Sequence, residues 1–303
     1  MMSKIITVLC CIAFMALAFI DVAGFVTNAR NGLILVGNNV VPVLFPFFFV
    51  SGLLVELDLF KRKGLQKIGV VGMSFLAGYP TGARMLSQLY MRGEISRAQA
   101  IKMAAYTSTC SPIFIIATLG AALYQDVRLG MIIFTAHILG ALFNGIVLNR
   151  VSSLVSVGLN EEMRTPAGRG RAQAVRGFRI DEFKPTDTSE AVSRALYSAV
   201  QNILAVGGLI LVFFVASASL PLPIASAMEM TTGVFHAEQV LSGVWRAIVP
   251  CAIVSFGGFC VAMQGFVFLK SFKMPVWFYL LYKVTHMIFA IVFCVIIYFA
   301  TVA

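Results

Sequence analysis

Apolar residues along this chain fall in long uncharged runs separated by basic clusters. A bilayer core of about 30 Å takes about 20 such residues in a helix. Ile5 to Val26 meets that length, and Leu33 to Leu57 meets it with interruptions at Asn38-Asn39, Pro42 and Pro46. The first run competes with a cleaved signal peptide, but it is long for one and continues past Ala16-Leu17-Ala18, so a retained helix is expected. Ile68 to Ala77 is only half a span. It meets Gly78-Tyr79-Pro80-Thr81-Gly82, breakers that no continuous helix would choose, and Ala83 to Met91 then leads to Arg92. Two half-length arms around a breaker predict a re-entrant hairpin. Ser96 to Leu123 is long enough to cross but is broken at Thr107-Ser108-Thr109-Cys110-Ser111-Pro112, and Leu129 to Leu148 is an ordinary span with His137 and Asn144.

Asn149 to Arg194 carries both signs of charge, Gly and Ser/Thr, and reads as a linker. Leu196 to Ser219 then crosses and stops at Pro221 and Pro223. Ile224 to Val249 holds the breaker Glu229-Met230-Thr231-Thr232-Gly233. Cys251 to Leu269 has Ser255-Phe256-Gly257-Gly258 inside it, and Val276 to Phe299 is the last span. The two parts share an order: span, breaker with Thr-Gly, broken span, closing span with a His. Thr81-Gly82 matches Thr232-Gly233, and His137 matches His286. The organisation is thus an N-terminal transmembrane helix (1–30), a first repeat (31–150), a cytoplasmic linker (151–194) and a second repeat (195–303).

Composition agrees. At 59% hydrophobic and 12% charged, the 303 residues are far from the roughly 45–50% apolar and about 25% charged of soluble domains. The net charge of +10 would suggest nucleic acid in a soluble protein; here Lys and Arg collect beside spans, and no nucleic-acid partner is expected. With a cytoplasmic N-terminus and seven crossings, 18 of the 23 basic residues lie inside, Arg30, Arg128 and Arg246 lie outside, and Arg84 and Lys283 sit at membrane depth. The C-terminus is then outside. The first hairpin enters from the cytoplasm and the second from outside, so the repeats are inverted. The fold class is an all-α polytopic membrane protein of about seven transmembrane helices plus two re-entrant hairpins. Six cysteines without a Cys-x-x-Cys pair and three scattered histidines predict no metal site, and no cofactor motif or P-loop is present. No Gly-x-Ser-Gly, paired intramembrane aspartates or zinc spacing supports an enzyme.

Leu-Ala-Gly78-Tyr79-Pro80-Thr81-Gly82-Ala83-Arg84 and Tyr106-Thr107-Ser108-Thr109-Cys110-Ser111-Pro112 resemble the first half of the sporulation integral membrane proteins of YlbJ (SpoVV) type. Glu229 to Gly233 and Ser255 to Gly258, with Gln264 downstream, resemble the second. The likeness covers roughly Asn31 to Ala300 without the linker. That family is grouped with nucleoside-recognition Gate domains, shared with nucleoside transporters and ferrous-iron permeases. The resemblance implies a transporter, and in a spore former the passage of dipicolinic acid from mother cell towards forespore, across a cell or mother-cell-derived membrane. Three positions depart from the family pattern, which often has Met at Thr81, Lys at Arg84 and Asn at Ser108.

Inverted repeats with discontinuous helices are a recurring transporter design, with substrate near midplane where helix ends expose backbone groups. Such groups are tolerated only facing protein, water or ligand. The substrate-site candidates are therefore Tyr79, Pro80, Thr81, Gly82 and Arg84; Thr107, Ser108, Thr109 and Ser111; Thr231, Thr232 and Gly233; Ser255, Phe256, Gly257 and Gly258; and Gln264. Arg84 would be a counter-ion for an anion, since an arginine at that depth is costly; pairing with Glu229 is the plain alternative. Glu229 is the coupling candidate, a cap being the other reading. Hydroxyls at the breaks bond backward to helix carbonyls as readily as they bind substrate. Asn38, Asn39 and Asn202 would line the same cavity, and His137 and His286 are expected in packing or interhelical hydrogen bonds. Tyr79 and Phe256 could stack on a planar ligand. The partners implied are the lipid bilayer and a small polar, anionic and planar solute, dipicolinate ahead of a nucleoside-like one; homo-oligomerisation stays open. The alternative is a non-transporting scaffold or gating partner in a sporulation or envelope complex.

Overall fold

The structure, a computed structural model, describes residues 18–57, 65–155, 187–217 and 220–302, with positions 8, 12 and 14–16 before them. Most of the first expected helix, the basic residues at 61–63 and the linker from 156 to 186 lie outside the described residues. Every regular element described is helical. Helix α1 (Val22–Leu35) starts where the Asp21 carboxylate accepts from the Gly24 amide at 2.9 Å. It passes through a π-turn (Val36–Val40) into α2 (Val41–Glu56). The interruption expected at Asn38-Asn39 is thus a widened turn within a continuing helix: Pro42 has no amide to give a preceding carbonyl, and the Val41 amide bonds five residues back to Val36.

Helices α3 (Leu65–Ala77) and α4 (Thr81–Met91) fold back on each other around Gly78-Tyr79-Pro80, where Gly78 holds φ +74°. At a rise of 1.5 Å per residue they span about 20 and about 16 Å, each short of a bilayer core. Helix α5 (Arg97–Ala104) begins with a capping box between Ser96 and Gln99. The irregular stretch 105–111 follows, then the π-helical Ile113–Leu123, so the break expected in this span is present. Helix α6 (Val127–Val155) starts with Asp126 accepting from the Leu129 amide, and α7 (Thr188–Ser217) starts with Asp187 accepting from Glu190.

The run expected as one segment from Ile224 to Val249 is three pieces: α8 (Leu222–Met228), α9 (Met230–Val240) and the start of α10 (Trp245–Phe256). The expected span at Cys251 accordingly begins at Trp245 and continues past the break into α11 (Gly258–Leu269). Helix α12 (Val276–Val302) closes the chain. Four stretches are long and apolar enough to cross a membrane among the described residues: Val127–Leu148, Thr188–Ser217, Trp245–Phe272 and Val276–Thr301.

The outside of these helices is oily. On α12, Trp277, Leu281, Val284, Ile288, Val292, Ile296 and Phe299 are exposed at helical spacing, while Tyr279, Tyr282, Lys283 and His286 face inward. A stripe of that kind suits lipid. The interior holds one apolar cluster around Met85, Leu89, Phe272 and Tyr282 and another around Ile115, Ile133, Val254 and Cys294. Along α12 the first cluster ends at Tyr282 and the second begins at Ala290, leaving Lys283 and His286 between them. A third cluster around Phe48, Ala199 and Ile210 joins α2 to α7.

Helices α6 and α12 share the most extensive contact in the molecule and run antiparallel, Arg128 meeting Thr301 and Asn144 meeting Tyr282. Gly140 makes the approach possible: a Cβ there would lie 2.7 Å from the Ala290 amide nitrogen. Gly208 on α7 meets nothing within 4 Å. Gly140→Ala should therefore destabilise the folded state by about 1–3 kcal/mol, whereas Gly208→Ala should be neutral or stabilising by up to about 1 kcal/mol. Melting curves of the purified variants in detergent measure the contrast, and equal melting temperatures would contradict this helix seam.

Candidate functional site

All four sequence breakers meet in the layer between the first two apolar clusters. In the first half, Gly78 sits against the break that follows α5, where a Cβ would come within 2.5 Å of the Ser111 amide nitrogen. A Cβ on Gly82 would lie 2.2 Å from the Thr107 carbonyl oxygen, and the Thr109 hydroxyl donates to the Ser74 carbonyl at 3.0 Å. In the second half, Gly257 and Gly258 hold φ +79° and +73° in succession, a left-handed pair that lets α10 end and α11 begin without a loop. Gly258 faces the Met228 carbonyl at the α8–α9 turn.

Three side chains then join the halves. The Tyr79 hydroxyl donates to the Val254 carbonyl, in the last turn of α10. The Cys110 amide donates to His137 Nε2 at 2.8 Å, so that nitrogen carries no proton; Nδ1 does, and donates to the Ser255 hydroxyl at 2.9 Å. His286 Nε2 donates to the His137 carbonyl at 2.9 Å, and the two rings lie 4.7 Å apart. The histidines are therefore interhelical hydrogen-bonding groups, as the sequence reading favoured.

The charged residues separate into three roles. Arg84 is buried, and its guanidinium donates to the Phe48 carbonyl at 2.7 Å, to the Ser51 hydroxyl at 3.2 Å and to the Ser198 hydroxyl at 2.9 Å. It also lies 5.4 Å over the Phe48 ring. It ties α4 to α2 and α7 and makes no ion pair with Glu229. Glu229 caps α9, its two oxygens accepting from the Thr231 amide at 2.9 Å, the Thr232 amide at 2.7 Å and the Thr232 hydroxyl at 2.9 Å. Lys283, which the sequence placed at membrane depth without assigning it to the site, is 1% exposed at the breakers themselves. Its ammonium donates to the Ser108 carbonyl at 3.3 Å and lies 4.4 Å over the Tyr79 ring. The signal was present in the sequence, as a lysine inside an uninterrupted 27-residue helix.

Other candidates are spread around this layer. Thr81 is fully buried at the start of α4, and its hydroxyl has no partner; Pro80, the N-cap, supplies no side-chain bond. Thr107 bonds backward to the Met103 carbonyl, while the Ser108 hydroxyl meets the Tyr279 hydroxyl at 2.8 Å. Ser111 accepts from the Phe114 amide at the start of the π-helix. Gly233 packs on Ser226, and Phe256 sits edge-on to Phe259. Gln264 donates to Cys260 one turn back, and Asn202 donates to Ser198 near Arg84. Asn38 is exposed on the π-turn, away from the layer. A cavity of about 230 Å³ lies elsewhere, between Asp126, Arg128, Arg246 and Tyr298 at one end of α6 and α12.

The chain is 27% identical, over an alignment of 286 residues covering 78% of this chain and 68% of the relative, to the sporulation integral membrane protein YlbJ of Bacillus subtilis (strain 168). No protein-family model matches, and no solved structure matches significantly. The YlbJ-type likeness carried by the breaker motifs therefore extends over most of the chain, and the protein is an integral membrane protein.

Because Glu229 satisfies three donors at the head of α9, Glu229→Ala should cost about 1–2 kcal/mol. Glu229→Gln, which keeps one acceptor oxygen, should cost less. Thermal denaturation of the two variants beside the parent tests the cap; an unaltered Glu229→Ala melting temperature would remove it.

Proposed function

We propose that this YlbJ-like integral membrane protein is a secondary transporter for a small polar solute, anionic and planar, with dipicolinate favoured over a nucleoside-like molecule. The observation that carries the reading is the polar layer in which interrupted helices of both halves meet around Lys283, a buried cation with no carboxylate partner among the described residues. Ionisable groups inside a membrane domain are costly and mark solute or ion paths. Gly78, Gly82 and Gly233 at the breaks leave no room for a methyl group, which fits a conformation shut around the site.

The architecture that goes with this reading is seven crossings, two re-entrant hairpins and two inverted repeats. The hairpins are α3–α4 and α8–α9, each arm too short to span. The antiparallel course of α6 and α12, the closing helices of the two halves, supports inversion. So does that of α1–α2 and α7, where Gly32 of α1 meets Leu211 and Gly52 of α2 meets Ala195. The basic residues support a cytoplasmic N-terminus and an outer C-terminus. At one end Arg92 pairs with Glu56 at 2.8 Å and Arg97 donates to the Phe272 carbonyl; Arg128 and Arg246 mark the other. Alternating access would then be a rocking of one repeat against the other about the shared layer.

Purified protein in liposomes should take up labelled dipicolinate down its gradient, saturably and above protein-free vesicles, without any partner. The neutral diamide of the same molecule should not enter. Uptake that appears only when another envelope protein is added would replace the transporter with a scaffold or gating component.

A further inference from the structure

Resting on that transporter reading, we propose that Lys283, rather than Arg84, is the counter-charge for a carboxylate of the solute, which binds between the Lys283 ammonium and the head of α4. An ammonium has three protons to give. One of them meets the Ser108 carbonyl at 3.3 Å, the face of Tyr79 lies 4.4 Å away, and Cys110, His137 and His286 are near enough to interact with it electrostatically. No carboxylate lies within ion-pairing distance of it among the described residues. Arg84 differs on each count. Its guanidinium is spent on a carbonyl and two hydroxyls from α2 and α7, none of which belongs to a break.

Position adds to capacity. Lys283 touches the first hairpin turn through Tyr79 and the first broken span through Ser108, and Tyr79 in turn holds the second broken span at Val254. A charge placed there registers any movement between the repeats. Two residues past Tyr79, the Thr81 hydroxyl is fully buried and has no hydrogen-bond partner. A buried hydroxyl left in that state is costly unless something arrives to bond it.

The second half shows what is missing from the first. Helix α9 begins with the Glu229 carboxylate, whose oxygens take two backbone amides and a threonine hydroxyl. Helix α4, equally long, begins at Pro80 with no carboxylate; the Thr81 amide donates to the Gly78 carbonyl at 3.0 Å, and the Thr81 hydroxyl has no partner. A carboxylate from the solute would accept from the Thr81 hydroxyl as Glu229 accepts from that of Thr232, in the positive end of the helix dipole and beside Lys283. The inferred ligand class is a small mono- or dicarboxylate whose charged end reaches Lys283 and Thr81 together.

The test is binding by thermal shift on the full-length protein in detergent, with pyridine-2,6-dicarboxylate and its neutral diamide as probes. The parent protein should be stabilised by the dicarboxylate and not by the diamide. Lys283→Met should raise the apparent Kd for the dicarboxylate by about a hundredfold and abolish the preference over the diamide; Lys283→Arg should retain it. Arg84→Gln should melt lower without ligand yet keep the dicarboxylate shift. Thr81→Val should cross over, melting higher without ligand because the unbonded hydroxyl is gone, but binding about tenfold more weakly. This last variant keeps the inference testable if Lys283→Met fails to fold. Full dicarboxylate binding by Lys283→Met or by Thr81→Val would overturn the inference while leaving the transporter reading intact. A parent protein that neither binds the dicarboxylate nor carries any solute in liposomes would overturn both.

Discussion

In hydrocarbon, a backbone amide or carbonyl released from its helix finds no water, and each one left unbonded costs several kcal/mol. Among the described residues, four sequence motifs interrupt the helices in the interior, which is organised around repairing the consequences. The Cys110 amide is met by His137, the Ser108 carbonyl by Lys283, the Val254 carbonyl by Tyr79, and the amides at the head of α9 by Glu229. Two of these repairs come from the other half of the chain. A carbonyl in the first half is bonded by α12, and one in the second half is bonded by Tyr79 in the α3–α4 turn.

The glycines complete the same logic from the steric side. Gly78 and Gly82 bring the α3–α4 turn onto Ser111 and Thr107, and Gly258 brings the α10–α11 break onto the α8–α9 turn. Close approach places the polar groups within bonding distance, and bonding makes the breaks tolerable. The lipid-facing sides of the helices take no part; the exposed stripe of α12 from Trp277 to Phe299 is uniformly apolar or aromatic. The molecule is thus polar inside and oily outside at this depth, the reverse of a water-soluble fold.

Much of this was readable from the order of residues. Breakers such as Gly78-Tyr79-Pro80-Thr81-Gly82 interrupt apolar runs too sharply to be overlooked, and each coincides with a break in the structure. His137 and His286 stood at matching places and do meet. What stayed hidden depends on partners remote in the chain. Lys283 could be seen to be deep, but its neighbours, Ser108 and Tyr79, are about 175 and 204 positions away. Arg84 could be seen to be costly, but not that Phe48, Ser51 and Ser198 would absorb its donors. Glu229 offered both a cap and a mobile charge; the amides two and three residues on take both its oxygens. Span ends were the least legible, because Pro42 bends a helix into a π-turn without ending it, while Glu229 ends one without any proline.

The exchange of repairs between the two halves of the chain bears on how such a protein is made. Until Tyr279 and Lys283 emerge, 171 and 175 residues after Ser108, the Ser108 hydroxyl and carbonyl of the nascent chain lack their mates, and the earlier segments must wait at the insertion machinery or borrow its shelter. Assembly is obliged to be a concerted closure, with α12 acting as the keystone of a vault whose stones cannot stand singly.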